Sequence, residues 1–435
     1  MRSIVTVTTP DAFARLGGIA IWQRAVRTLR FLGSEKVQVL TTFSPSDFGC
    51  RADTGIPKGL DGEEELIELE HALVTGSDIV AVIANGSEPV LIVPGNSVFD
   101  ARILSACMSS SEPVVCVDSD PPRELTRLIE DTPGYAGGQI CGPAVVTSEW
   151  LEDHRGDLQQ AIEAEVTRGS LPAVDIARLD TRAPALRRDL RPFWFPAPDS
   201  RNLGEAKQLL LASTQKGSLD LPAMLHAPVE KILAWILADT RITPNGVTLL
   251  TTALAWLATG LFLQGFVRWG LLMALVVGVL DGVDGKLARL RIEFSRFGEL
   301  EHWLDFLYEW SWWAALAHFF SISELLPRAW TYFGLLALFE LLDGLAKLIS
   351  IRWFGRLIDE MSSFERSVRV FGGRRNIYVW LMVVGALIGR PEATFKLLPV
   401  WQGVTAFLHW IRLPWLFANR QAPLPLEGEA YDDEV

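Results

Sequence analysis

Two rhythms of apolar and polar residues divide the chain near residue 225. Before it come short runs rich in β-branched residues, at 3–8 (SIVTVT), 37–42 (VQVLTT), 78–84 (DIVAVIA), 89–95 (PVLIVPG) and 113–118 (PVVCVD), and these predict strands. Between them, 19–32, 63–73 and 100–108 repeat apolar residues every three or four positions, which predicts helices. Such alternation favours an α/β fold, a mostly parallel sheet covered by helices. Beyond residue 225 the apolar runs lengthen to about 20 residues, enough at 1.5 Å each to cross a hydrocarbon core of about 30 Å. Spans are expected at about 246–265, 268–290, 300–323, 329–350, 376–391 and 395–416, an all-α six-helix transmembrane domain. Residues 227–241 are amphipathic and suit a helix lying in the membrane interface. The expected divisions are therefore 1–225, 226–420 and an acidic, solvated tail over 421–435.

Charge adds an orientation. Lys286, Arg289, Arg291 and Arg296 fall between spans two and three, and Lys347, Arg352, Arg356, Arg366, Arg369, Arg374 and Arg375 between four and five. The opposite loops hold only Arg268, Arg328, Arg390 and Lys396. The positive-inside rule then puts both termini in the cytoplasm, with the bundle in the cytoplasmic membrane among its lipids. The opening residues have no apolar run of signal-peptide length, in keeping with a cytosolic front half. A net charge of −12 argues against a nucleic-acid partner. Cys50, Cys107, Cys116 and Cys141 lack ligand-like spacing and are expected to be reduced thiols.

The chemistry lies in acids placed where the chain is greasiest. On a helix Asp281, Asp284, Gly285 and Ala288 form one stripe, and Glu301, Asp305 and Glu309 form another. A charge at the bilayer centre costs about 2.5–3.5 kcal/mol on insertion scales. Five acids near one end of two spans call for a compensating cation, and Mg²⁺, with Mn²⁺ as the alternative, suits carboxylate and phosphate oxygens.

The stretch DGVDGKLARLRIEFSRFG (281–298) resembles the signature of the CDP-alcohol phosphotransferases, D-x2-D-G-x2-A-R-x8-G-x3-D-x3-D. Asp281, Asp284, Gly285, Ala288, Arg289 and Gly298 match it in identity and spacing, and TPNGVT (243–248) is similar to that family's Pro-Asn-x-x-Thr segment. Strict counting puts His302 and Phe306 at the last two aspartates. Removing one loop residue aligns Glu301 and Asp305 there instead, and a shift the other way selects Asp305 and Glu309. The resemblance implies an Mg²⁺-dependent enzyme that moves a phospho-alcohol group from a CDP-alcohol to a hydroxyl acceptor, a lipid or an inositol phosphate, and releases CMP. It implies metal binding by Asp281, Asp284, Glu301 and Asp305, with Asp305 also the general base. Gly285, Ala288, Arg289, Asn245 and Thr248 would meet the nucleotide, and Gly298 would break the loop before the third span. His302 is open between metal ligand and hydrogen-bonded neighbour, and Arg374 and Arg375 between acceptor-phosphate grip and topology-setting charge. Trp303, Trp310, Trp312 and Trp313 are expected to pack or face lipid. Members of the family commonly pair as homodimers.

The front half resembles the sugar-nucleotidyltransferase fold through LGGIAIWQRAVRTLRFLGSEKVQVL (16–40) and LIVPGNSVFDARIL (91–104). Two departures point to a degenerate, catalytically silent domain. TPDAFAR follows the first strand in place of a glycine-rich phosphate loop, and Asn96 stands where an acid is expected, leaving Asp199 as a lone candidate ligand. A front domain of this kind fused to the membrane domain is similar to the bifunctional enzymes that make CDP-inositol and join it to inositol phosphate. Two other readings of the acids remain at this point: a cation transporter and an inactive membrane scaffold.

Overall fold

The computed structural model describes residues 1–34, 36–41, 43, 67–71, 88–130, 132–135, 137–154, 158–217, 219–294 and 297–419. They form two compact units: residues 1–182, 189–213 and 290–292, and residues 183–188, 214–289 and 293 onward.

The first unit is built on a sheet of β1 (Arg2–Val7), β2 (Lys36–Thr41), β3 (Ile67–His71), β4 (Val90–Pro94), β5 (Val114–Asp118), β6 (Gly138–Val146) and β7 (Ala173–Asp175). Their order is β7-β5-β6-β4-β1-β2-β3, and the two-residue strand Gly134–Tyr135 pairs with β6. Every main-path pairing is parallel except those of β6, which runs against both β4 and β5. The sheet is thus mostly parallel, as the alternation predicts, and Ile4, Val5, Val39, Leu91, Val93 and Val115 are completely buried, as strands covered on both faces require. Between β1 and β2 the chain makes a hairpin, Arg15–Leu16 against Ile19–Ala20, turned by Gly17 (φ 63°) and Gly18 (φ 89°). It then enters α1 (Ile21–Phe31), whose Gln23 side chain accepts from the Ala20 N–H at 3.1 Å. The second helix, α2 (Ala101–Met108), is capped by Asp100, which accepts from the Arg102 N–H.

One expectation fails here, and one strand has no counterpart in the sequence pattern. The 63–73 segment is predicted helical, yet 67–71 pairs in parallel with β2, Val37 against Ile67. IELEH also alternates with period two, and an open edge of parallel sheet satisfies that pattern with backbone hydrogen bonds. Strand β6 (GQICGPAVV) was not foreseen because Gly138, Gly142 and Pro143 break its periodicity. The predicted 78–84 strand and Cys50 lie outside the described residues. Cys107, Cys116 and Cys141 are buried and free.

Asp118, completely buried at the end of β5, accepts from Arg191 at 2.6 Å and from the Trp194 indole at 3.3 Å.

The second unit is helical: α3 (Leu221–Ala238), α4 (Pro244–Leu263), α5 (Val267–Arg291), α6 (Phe297–Ile322), α7 (Ala329–Phe354), α8 (Ser363–Phe371), α9 (Arg375–Leu387) and α10 (Pro391–Ala418). Its core joins Phe262, Tyr308, Trp312, Trp313, Leu316, Phe320, Met382 and Phe395. Trp312 and Trp313 are packing residues, the former donating to the Ala255 carbonyl at 2.8 Å. Polar residues are buried instead of exposed (Asp284, Lys286, Asp343, Asp359, His409, Gln402), while Leu249, Trp353 and Leu387 are 73%, 66% and 79% exposed. Among the described residues two helices, α3 and α4, are long and apolar enough to cross a membrane. Of the six expected spans only the first meets that measure, and the six-span count is not established by it. Helices α5, α6 and α7 carry Asp281, Asp284, Asp305, Glu309, Glu340 and Asp343 in or beside their long apolar runs. The helix expected over 227–241 begins six residues earlier, at Leu221, with Asp220 accepting from the Ala223 N–H. Gly298 does not break a loop, since α6 has begun at Phe297. The bend lies earlier, at Ile292 (φ 53°), a conformation β-branched residues rarely adopt.

Replacing Asp118 by Ala strips a buried acceptor from Arg191 and Trp194, and should lower the stability of the first unit by about 2 kcal/mol or more. Denaturant titration followed by near-UV dichroism measures it.

Candidate active site

Asp281 and Asp284 sit in the second half of α5, held there by a helix whose Val277, Val283 and Leu287 are completely buried. Asp284 is 3% exposed. Its Oδ2 accepts from the Thr248 hydroxyl at 2.8 Å, tying α5 to the start of α4, and its Oδ1 accepts from the Gly285 N–H at 2.6 Å. Thr248 is placed by the Thr243 cap and by Pro244 at the first position of α4. Asn245, in the same turn, is exposed.

Asp281 points elsewhere. Arg375, the first residue of α9, donates through Nη2 to its Oδ2 at 2.5 Å. The other Arg375 nitrogen, Nη1, donates to the Tyr308 hydroxyl at 2.6 Å and lies 3.8 Å from Asp305 Oδ2. Tyr308 in turn donates to Asp305 Oδ1 at 2.7 Å. One guanidinium therefore joins acids from α5 and α6, with the phenol as the third member. Its planar fork serves two acceptors at once, which an ammonium does less well. Tyr308, fully buried, follows Asp305 at i+3 and so shares its helix face.

Asp305 and Glu309 also line a cavity of about 740 Å³ together with Glu340, Asp343 and Lys347 of α7, Arg374, Arg375, Asn376 and Gln402. Sequence reasoning counted Lys347 as a topology charge and passed over Tyr308, Glu340 and Asp343. The signal for α7 was present: ionisable residues inside an apolar span mark function. Behind this wall, Asp359 accepts from Arg369 at 2.6 Å and from Arg374, while His409 lies between Asp343 (Nδ1, 2.5 Å) and Asp359 (Nε2, 3.4 Å). Burial alone would raise the Asp359 carboxyl, but the charges of Arg374, Lys347, Arg369 and His409 outweigh it and hold it below its ordinary value.

The other expected residues are distributed as follows. Arg289 donates through Nε to the Thr214 carbonyl at 2.8 Å, and its guanidinium lies 3.3 Å from where a Cβ on Gly285 would stand, so Gly285 leaves that group room. Ala288 is half-buried one turn beyond Asp284. Phe306 is 49% exposed with its ring on Trp310, and so presents no ligand in the strict register. The side chains of Glu301 and His302 lie outside the described residues. The expected cage of three or more acids about one ion is not formed among the described residues. Asp284 turns to Thr248 and Asp281 to Arg375, so the two signature acids part company. In the first unit, Asp199 pairs with Arg201 at 2.8 Å and accepts from two backbone N–H groups, as a turn-forming residue does. The Asn96 carbonyl accepts from the Ala197 N–H.

Residues 241–413 match the family model described as CDP-alcohol phosphatidyltransferase, which gives the C-terminal part of the chain a domain of that class. The chain is 26% identical over 426 residues to a protein of Rubrobacter xylanophilus named bifunctional IPC transferase and DIPP synthase, covering 88% of this chain and 87% of that one. A protein of Aquifex aeolicus with the same name is 24% identical over 212 residues, 48% of this chain and 47% of its own. A solved glucose-1-phosphate thymidylyltransferase from Bacillus anthracis, in complex with a sucrose, aligns at 12% identity and a TM-score of 0.33, over 48% of this chain and 94% of that structure.

Tyr308→Phe removes the hydroxyl between Arg375 and Asp305 but keeps the ring, and should lower kcat about tenfold with the substrate KM little changed. Steady-state CMP release reads both. Because the Asp359 carboxyl is depressed, its stabilisation is full above the ordinary carboxylate range and is lost as pH falls through the depressed value. The thermal midpoint in detergent should fall steeply below about pH 4 in the native chain, and less steeply in Asp359→Asn.

Proposed function

We propose that this protein transfers a phospho-alcohol group from a CDP-alcohol to a hydroxyl acceptor and releases CMP, working from a bundle of six membrane-spanning helices. The observation that carries the reading is the convergence of Asp281 and Asp305, from two consecutive helices, on one cationic group beside a polar cavity. A soluble enzyme has no need to surround such a cavity with Leu, Ile and Trp on its outside. A lipid-facing bundle does.

The acceptor hydroxyl attacks the phosphorus of the diphosphate attached to the alcohol. Its proton passes to the Asp305 carboxylate, the new P–O bond forms, and the bond to CMP breaks with its electron pair leaving on the nucleotide. Tyr308 and Arg375 orient Asp305, so its carboxylate need not search for the proton. Thr248 fixes Asp284, and the space left by Gly285 lets the nucleotide phosphates approach Arg289. Lys347, Arg374 and Arg375 are the basic members of a lining that also holds Asp305, Glu309, Glu340 and Asp343; they would meet an anionic acceptor such as inositol phosphate, and Glu309, Glu340 and Gln402 would accept from its hydroxyls.

A divalent ion fits the chemistry of the donor set. Asp281 and Asp305 already share one cationic partner, Arg375, while Asp284, on the Asp281 face of α5, is turned to Thr248 and would have to swing from it to join them. Asp281, Asp284 and Asp305, with Glu301, would hold Mg²⁺, which supplies Lewis-acid polarisation of the phosphates. The name shared by the two relatives couples two activities. For this chain the first unit is read as a degenerate nucleotidyltransferase-like domain, supported by the neutral Asn96 and by Asp199 spent on a turn.

Purified full-length protein with Mg²⁺ should release CMP from a CDP-alcohol in the presence of a polyol phosphate or lipid acceptor. Asp281→Asn and Asp305→Asn should each reduce this by at least about 10³-fold while leaving expression intact. Failure of the native chain across a broad donor and acceptor panel, together with calorimetry showing no CMP or CDP heat that Asp284→Ala removes, would defeat the proposal.

A further inference from the structure

The helix before the signature region has its polarity inverted. On α3 the buried positions Pro222, His226, Glu230, Ala234 and Ala238 form an i, i+4 stripe, with Ala227 buried beside it, whereas Leu225, Val229, Ile232 and Ile236 are 48–60% exposed. The two polar side chains of that stripe reach two different helices. Glu230 Oε2 accepts from Lys286 of α5 at 2.5 Å, with both side chains under 10% exposed. His226 Nε2 accepts from the Trp380 indole of α9 at 3.2 Å.

The matching face of α5 is Gly278, Gly282 and Lys286, again four residues apart. A Cβ on Gly282 would strike the Glu230 carboxylate. One on Gly278 would stand 3.4 Å from both the His226 ring and the Asn376 side chain of α9. So α3 lies against the two helices that carry Asp281 and Arg375, the partners whose 2.5 Å contact anchors the site. None of His226, Glu230, Lys286 or Trp380 touches that contact itself.

We propose that α3 is a brace: Glu230 grips α5, His226 grips α9, and together they set the spacing at which Asp281 meets Arg375. These are positioning residues, and their effect on turnover rests on the function proposed above. A buried ion pair suits the task because it tolerates no drift. A partner withdrawn leaves an uncompensated charge, and a pair moved by an ångström loses its hydrogen bond.

The test compares Glu230→Gln, Lys286→Met, the charge-exchanged Glu230→Lys/Lys286→Glu, and His226→Phe in the full chain, each normalised to the folded fraction from size exclusion. Glu230→Gln and Lys286→Met should each lower kcat per folded molecule about tenfold while the CDP-alcohol KM stays within about twofold, and the exchanged pair should regain most of the loss. His226→Phe should act in the same direction. Hydrogen–deuterium exchange supplies a readout that needs no catalysis: peptides holding Asp281 and Arg375 should exchange faster in the single variants and return toward native in the exchanged pair. Native kcat in the single variants, or unchanged exchange at both peptides, would overturn the brace. Absence of CMP release from the unaltered chain would instead count against the proposed function, leaving exchange to decide the brace alone.

Discussion

Charge inside an apolar helical bundle must be answered by charge, and that requirement organises the second unit. Asp281, Asp305, Asp343, Asp359 and Glu230 sit among helices whose outer faces are Leu, Val and Trp, and each is met by Arg375, Lys347, Arg369, Arg374 or Lys286. The unfavourable transfer of an isolated carboxylate to such surroundings is large enough that unpaired acids would reorganise the bundle. Pairing therefore does two things together. It lets acids persist where a reaction needs them, and it dictates which helices stand side by side. Arg375 is the clearest case, since its fork can satisfy Asp281 and Tyr308 only if α5, α6 and α9 meet at one point.

The broad plan was legible in the sequence because periodicity survives without tertiary context. Four strands and the long helices announce themselves by alternation or by apolar length, and the DGVDGKLAR stretch carries its chemistry in its spacing. What escaped was whatever depends on a partner distant in sequence. IELEH fits either period until β2 offers it an edge, and β6 is hidden by its glycines and proline. Helical spacing places Asp281 and Asp284 on one stripe, and it says nothing of Thr248 or Arg375, which divide them. Arg375 stays open between phosphate grip and topology charge in the sequence, where four arginines cluster; its pairing with Asp281 and Tyr308 follows from a helix that starts at that residue. Tyr308 has no motif to point to it, whereas Glu340 carries a signal of its own as an acid inside an apolar span.

The two units answer the same problem of buried polarity differently. In the first, Asp118 is isolated at a strand end and satisfied locally by Arg191 and an indole. In the second, acids and bases extend from α3 to α10, with His409 between two carboxylates. A local pair can be lost at the cost of one site, whereas a connected set shifts together, and substitutions within it should not add independently.

The position of β1 has a kinetic consequence. It is the earliest strand in the chain and lies in the interior of the sheet, flanked by β2 and β4, with β6 and β5 beyond. Its own pairings are long-range and parallel, Arg2 standing against Lys36 and Val90, and closing such loops costs chain entropy before any pairing is gained, whereas the hairpin of Gly134–Tyr135 with β6 is local. The last strand of the sheet, β7, precedes the apolar helix at Leu221. During synthesis the slow, long-range half thus receives its full complement of strands before the water-averse half begins to emerge, and that order keeps its exposed edges from competing with a half-built bundle.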